Sequence, residues 1–459
     1  MALDLIVVLI YAAGMLALGW YGMRRAKTQE DYLVAGRNLG PTLYMGTMAT
    51  TVLGGASTVG TVRLGYVHGI SGFWLCAALG LGIIALNLFL AKPLLRLRIF
   101  TVTQVLERRY TPMARQASAL IMLAYALMIG VTSTLAMGTV LQVLLDLPFW
   151  LSVLLGGGVV VIYSTIGGMW SLTLTDIVQF VIKTVGLMFI LLPVCLYKVG
   201  GWDQLVAQLP ASSFNWTTIG WDTILTYFLI YFFGILIGQD IWQRVFTARD
   251  EKVCQRAGTT AGVYCVLYGL ACALIGMAAH VLLPDLANPN NAFAAMIKTT
   301  LPDGIRGLLM AAALAAMMST ASAGLLAAST TVTEDLLPKL RGGKQSSLAT
   351  SRLFTLLTGL VVLAIALAVN DVISALTLAY NLLVGGMLIP LMGAIFWKRA
   401  TTAGAIASMS LGFATALLFM VKDGLDANTP IYYSLAVGLV SFVLVSLLSR
   451  RPVASANLA

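Results

Sequence analysis

The chain has 459 residues, of which 59% are hydrophobic and only 10% charged, with a formal net charge of +10. Soluble domains carry roughly 25% charged residues, and no aqueous fold hides this much apolar surface, so the class is an all-α polytopic membrane protein. There is room for about a dozen spans and no stretch long and polar enough for a separate soluble domain, which argues against a pump with a nucleotide-binding module.

In chain order, apolar runs of spanning length fall near residues 3–22, 41–66, 71–91, 117–144, 149–167, 173–198, 222–247, 257–283, 305–334, 348–369, 372–396, 402–421 and 429–449. The first is too long for a signal peptide and lacks a basic leader and a small-residue cleavage site, so it reads as a retained span. Thirteen spans put the termini on opposite sides. The side that receives Arg24, Arg25, Lys27 and Arg37 collects 22 of the 28 basic residues, among them Arg96, Arg115, Arg244 and Lys398. The positive-inside rule makes that side cytoplasmic, with the N-terminus outside and the C-terminus inside. The same asymmetry accounts for the charge without a nucleic-acid partner.

The second span is interrupted by Gly54, Gly55 and Gly60, and the seventh by Gly234 and Gly238. A helix-interior glycine costs about 1 kcal/mol relative to alanine, so three in seven residues favour unwinding. Gly-broken spans at matching positions of two halves point to a carrier's midplane binding site; the alternative is close helix packing through small residues. Acids deep in a span cost at least about 2.5–3.5 kcal/mol, which singles out Asp176 and Asp240. Asp176 reads either as a functional carboxylate or as one satisfying a helix N-terminus. Asp240 reads either as a site residue or as the partner of Arg244, four residues on. Lys183 has only Asp176, seven residues earlier, as a partner in sequence, and Glu334 and Asp335 end the ninth span where water would solvate them.

In the ninth span Ala316, Ser319, Thr320 and Ala323 recur at intervals of three and four, on one helical face. Such a face either packs tightly, its hydroxyls bonded back to their own turn, or offers oxygens to a cation. Carbonyls of Ala56 and Val59, the Ala316 carbonyl and the Ser319 and Thr320 hydroxyls make five neutral oxygens suited to Na⁺, a hard ion. The five cysteines lack metal spacing, His68 and His280 are isolated, and HExxH, GxSxG and phosphate-loop motifs are missing, so the chain does not read as an enzyme.

The stretch GGMWSLTLTDIVQ at 167–179, the Ser319/Thr320 segment running to Thr333-Glu334-Asp335, the early DYLVAGR at 31–37 and Gln243-Arg244 carry a resemblance over nearly the whole chain. On these residues it resembles the sodium/solute symporter family, in a bacterial member. The resemblance implies a leucine-transporter-type fold with a 5+5 inverted repeat and flanking helices in the cell (bacterial inner) membrane. It divides one transmembrane domain, 1–459, into an extra helix and loop (1–40), two five-helix repeats (41–200 and 221–397) and two C-terminal helices (398–459). It maps the family's main sodium site onto Ala56, Val59, Ala316, Ser319 and Thr320. The family's second ion site maps onto Asp176, Ser319, Ser322 and position 323, where Ala323 puts a second ion in doubt. Proline carriers have an aspartate where this chain has Thr58, and the sugar carriers' aromatic gate falls near Gly234, so neither solute is favoured.

The expected function is Na⁺-coupled import of a small polar solute by alternating access: an amino acid, a guanidino or amine compound, or a short carboxylate. Ser57, Thr58, Phe233, Gly234, Gln239, Asp240, Tyr380 and Asn381 are the expected solute contacts. The partners are the solute, sodium and the lipid bilayer, with the oligomeric state left open. Rival readings are a proton-coupled carrier titrating Asp176 or Asp240 and a transport-derived sensor.

Overall fold

The computed structural model describes residues 2–340, 342–344, 346–369 and 371–449; Arg341, Arg450 and Arg451, counted in the charge asymmetry, lie outside them. The described chain is helical, with one isolated bridge between Leu39 and Ala248. Among the described residues, ten helices are long and apolar enough to cross a membrane. Trp221–Ile237 and Gln239–Val245, bent by 46° at their joint, make an eleventh if taken as one span. Ala56–Leu97 and Phe149–Val199 run for 42 and 51 residues, about twice the ~20 that cross a bilayer. Each contains a glycine in the left-handed region, Gly69 (φ 64) and Gly168 (φ 53), where a side chain would be strained.

Burial ranks the helices. The most apolar window of Ile305–Leu340 is 94% buried and that of Val372–Phe396 is 89% buried, against 28% for Leu3–Arg25. The hydroxyl-bearing helix Ile305–Thr330 is therefore central, packed between Pro112–Leu145 and Phe149–Lys183. A helix surrounded by protein on every side gains more from small residues that admit neighbouring backbones than from bulky ones.

The second span is broken where the glycines fall. Its first half, Pro41–Val52, opens on a proline in the first turn, where the missing N–H is not needed. At Leu53 the backbone leaves the helical region (φ −88, ψ 63). The chain then resumes through a wide turn over Ala56–Gly60, in which the Thr61 N–H reaches the Ala56 carbonyl, and continues as Thr61–His68. Packing and unwinding turn out to need the same glycines. A Cβ on Gly54 would lie 2.4 Å from Thr320 Oγ1 and 2.8 Å from Ser133 Oγ. The seventh span breaks at Gly238, whose backbone is extended (φ −69, ψ 132).

Gly54→Ala is expected to destabilise the protein by about 1–3 kcal/mol, the usual range for overpacking, and to cut transport. Gly40→Ala, where an added Cβ meets nothing within 4 Å, should be silent. Thermal unfolding in detergent compares the two, and equal melting temperatures would contradict the close approach at Gly54.

Candidate functional site

The break leaves the last carbonyls of Pro41–Val52 without helical donors, inside the protein. The central helix supplies them. Ser319 Oγ donates to the Thr50 carbonyl at 2.8 Å, and Thr320 Oγ1 to the Thr51 carbonyl at 2.6 Å. Ser319 also lies 3.3 Å from the Ala316 carbonyl, while Ser322 bonds back to the Ser319 carbonyl at 2.9 Å. Both hydroxyls thus face the broken helix. The carbonyls they reach, however, belong to the turn before the break, whereas Ala56 and Val59 lie in the turn after it. Thr50 and Thr51 were missed because the glycines mark the break, and nothing in the local sequence marks the turn that precedes it.

Beside this seam lies a small cavity of about 20 Å³. Thr51, Val52, Gly54, Gly55, Ala56 and Ser57 of the broken helix line it, with Leu79. Ile129, Thr132 and Ser133 of Pro112–Leu145, Asp240 of the bent pair, Thr320, and Leu376 and Tyr380 of Val372–Phe396 complete it. Of the expected solute contacts, Ser57, Asp240 and Tyr380 are on its wall. The hydroxyl run Thr132-Ser133-Thr134 was the readable signal for the wall from Pro112–Leu145.

The other expected contacts do not line it. Thr58 shares a 2.9 Å hydrogen bond with the Tyr268 hydroxyl, and Phe233 stacks edge-on against Phe232. Gly234 lies under the Tyr380 ring, which a Cβ would meet at 2.2 Å. Gln239 turns to the 99–103 segment, accepting from the Val102 N–H (2.9 Å) and donating to the Phe100 carbonyl (2.8 Å). Asn381 is buried off the cavity wall, its amide without a partner.

The intramembrane charges form a different set of pairs from the expected one. Asp240 accepts from the Tyr125 hydroxyl at 2.9 Å. Arg244 reaches only the Asp240 backbone carbonyl (3.4 Å) and points its Nη2 to Asp176, 3.9 Å away. Asp176 accepts from the Thr47 hydroxyl; its second oxygen has no partner, and it sits eight residues beyond the Gly168 kink rather than at a helix start. Arg244 therefore ties the bent pair to Phe149–Lys183. Lys183 is buried with no hydrogen-bond partner, its Nζ 5.6 Å from the Tyr268 ring centroid, a cation–π distance.

Asp335 is not solvated as expected. It is buried and accepts from Arg115 Nε (2.8 Å) and from Thr101 (2.9 Å), while Arg115 also holds Glu107 (2.5 Å). Gln239 and Asp335 together clamp the 99–103 segment across the end of the bundle. At the opposite end Arg63 meets Asp371 at 3.1 Å, with Asn290 donating to the same oxygen at 3.2 Å. Burial pushes the Asp371 carboxyl up, but the Ser374 N–H, Arg63 and Asn290 outweigh it and hold it below the usual carboxylate range.

Two helices broken inside an apolar bundle, with a cavity bearing several hydroxyls and one carboxylate between them and paired charges behind it, define a membrane carrier of small solutes. A family model described as "Sodium:solute symporter family" matches residues 32–412. The chain belongs to that family, and is accordingly a sodium-coupled secondary transporter in a membrane, not an enzyme. Its relatives include the "Osmoregulated proline transporter OpuE" of Bacillus subtilis (strain 168), 27% identical over 98% of this chain and 96% of its own length. The "High-affinity proline transporter PutP" of the same organism is 27% identical over 95% and 96%. Among solved structures, a Na⁺-coupled sialic acid symporter in a substrate-bound outward-open state shares the fold. Its TM-score is 0.86, at 21% identity, over 98% of both chains. The nucleobase-cation-symport-1 transporter MHP1 shares it more distantly, with a TM-score of 0.59 over 91% of this chain and 95% of that one.

Arg244→Gln strands the Asp176 carboxylate without its guanidinium and is expected to cost about 3–5 kcal/mol, as broken buried pairs do. Asp176→Asn in the same chain should recover part of that loss; strictly additive losses of melting temperature would contradict the coupling. Because the Asp371 carboxyl is held low, its contribution is present above about pH 4, the unfolded value, and fades as pH falls through the folded value. Asp371→Asn should therefore lower the melting temperature at pH 7, and its gap from the wild type should shrink as pH falls below about 4. A gap that persists in acid would refute the assignment.

Proposed function

We propose that the sodium ion binds where the broken helix meets Ile305–Thr330, through the hydroxyls of Ser319 and Thr320 and the carbonyls of Ala316, Ala56 and Val59, with those of Thr50 and Thr51 on the same seam. What supports this is the pair of hydroxyl-to-carbonyl bonds at 2.8 and 2.6 Å, which gathers neutral oxygens from two helices in one buried place. A hard cation suits such oxygens, and a set without a full charge also lets the ion leave. A second ion at Asp176 and Ser322 is not part of this reading. Ser322 is committed to its own helix, position 323 is alanine, and Asp176 already faces Arg244.

The solute occupies the cavity beside that seam, against Ser57, Asp240 and Tyr380. Asp240 is the carboxylate on its wall, which favours a solute with a cationic nitrogen, an amino acid or an amine. The proline carriers among the relatives agree with the amino-acid class. Thr58, engaged with Tyr268, stands where the family resemblance leads one to expect their aspartate. Ion and solute share a wall, since Gly54, Ala56 and Thr320 all border the cavity, so occupancy of one site changes affinity at the other. The ion shifts the outward–inward equilibrium only by its difference in affinity for the two states.

The kinks at Gly69 and Gly168 split the two overlong helices, which supports thirteen spans and termini on opposite sides; the asymmetry of basic residues then puts the N-terminus outside and the C-terminus in the cytoplasm. Residues 41–200 and 221–397 are then the two five-helix repeats, each opening on its broken helix, between the extra segment 1–40 and the closing helices of 398–459.

Ser319→Ala and Thr320→Ala should each raise the sodium concentration for half-maximal uptake at least tenfold and abolish solute-stimulated ²²Na⁺ binding (about 1.4 kcal/mol or more). Asp240→Asn should weaken the solute, found by screening amino acids and amines in proteoliposomes, while leaving solute-free ²²Na⁺ binding intact. Unchanged sodium dependence in both hydroxyl variants would overturn the ion site, and a carried solute without a cationic nitrogen would overturn the role of Asp240.

A further inference from the structure

We propose that the cleft lined by Arg37, Arg96, Arg98 and Arg249 holds the headgroup of an anionic phospholipid. The cleft, of about 380 Å³, opens to the surface at the end of the bundle where the 99–103 segment is clamped. Leu95, Ala248, Asp250 and Glu251 complete its lining, so four arginines face two carboxylates. Both carboxylates are committed. Asp250 accepts from the Val253 N–H (2.9 Å) and Arg249 (3.2 Å), and Glu251 from Arg96 (3.0 Å) and Lys92 (3.5 Å).

The arginines are less fully used. Arg37 is bound to Glu30 and to the Ile99 carbonyl, both at 2.8 Å, and lies against the rings of Phe100 and Phe246, yet its Nη1 has no partner. Arg98 makes no ion pair among the described residues. Both Arg37 and Arg98 sit in the left-handed backbone region (φ 53 and 48), which side-chain-bearing residues rarely adopt. The exposed, unpaired guanidinium of Arg98, beside the exposed flanks of Arg96 and Arg249, matches the oxygens of a phosphodiester, with the unsatisfied Arg37 Nη1 buried behind them.

The surroundings select a lipid over a soluble phosphate. Leu88 and Phe89, 43% and 74% exposed, lie just ahead of Ala91–Leu97, the helix that carries Arg96. Large apolar side chains exposed on a membrane protein face acyl chains, and Arg96 lies about 10 Å further along, the distance from hydrocarbon to headgroups. Basic pockets at this level are where anionic headgroups gather.

The cleft is also a seam. The Leu39 N–H donates to the Thr247 carbonyl (2.9 Å), and the Arg249 N–H to the Leu39 carbonyl (3.1 Å), joining the lead-in of the broken helix to the end of the bent pair. A phosphate shared by Arg37, Arg98 and Arg249 braces that joint, so bound lipid favours the form in which this end of the bundle is closed.

The test uses the purified full-length protein in vesicles of phosphatidylcholine alone, or of phosphatidylcholine mixed with phosphatidylglycerol, and in detergent with inorganic phosphate. Melting temperature is read in each, and bound lipid is counted by native mass spectrometry. Phosphatidylglycerol should raise the melting temperature and leave one retained lipid mass, while inorganic phosphate does neither. Arg98→Gln/Arg249→Gln should lose both signals, and Arg98→Lys/Arg249→Lys should retain part of them. An equal effect of phosphatidylcholine, an effect reproduced by inorganic phosphate, or signals undiminished in the double glutamine variant would each overturn the proposal. Should that variant not fold, Arg98→Gln alone, whose exposed side chain loses no ion pair, is read in the same way.

Discussion

A helix that breaks inside a membrane exposes carbonyls that no lipid can satisfy, and each unpaired group there costs several kcal/mol. Here the break at Leu53 is tolerated because Ser319 and Thr320 reach the carbonyls of Thr50 and Thr51. The rest of the arrangement follows from that dependence. The central helix must be small enough on this face to approach, Gly54 must lack a side chain where Thr320 passes, and the hydroxyls must be held between two helices rather than turned to lipid. In the proposed reading, a hard cation enters this oxygen-rich seam by replacing those same bonds.

The charged residues behind the seam obey a second economy. Asp176, Asp240 and Arg244 are all buried, and each is costly alone. Arg244 bridges toward Asp176 from the end of the bent pair, while Tyr125 takes over Asp240. Asp240 thus has a hydroxyl rather than a guanidinium as its side-chain partner and remains on the cavity wall. Lys183, resting over Tyr268, is the buried cation left without an acid among the described residues.

The clamp made by Gln239 and Asp335 ties two interior helices to one end of the bundle. Both side chains hold the 99–103 segment, and they come from the bent pair and the central helix, which also border the cavity. A movement of either helix must release or re-form these bonds, so the state of the site and the state of that end of the bundle are mechanically linked. Arg63, Asp371 and Asn290 provide a corresponding contact at the other end.

Composition alone determined that this chain lives in a bilayer, glycines marked where the two interrupted spans could break, and a period of three to four determined which face of the ninth span carries hydroxyls. All three are properties of contiguous residues. Tertiary structure decided the rest. It chose Thr50 and Thr51 as the carbonyls the hydroxyls meet, turned Arg244 away from the Asp240 carboxylate, sent Gln239 to a loop instead of a solute, and buried Asp335 against Thr101, 234 residues away. The physical reason is that a polar group within a membrane takes whichever partner lies opposite. What lies opposite is set by helix packing over the whole chain, not by spacing within one helix.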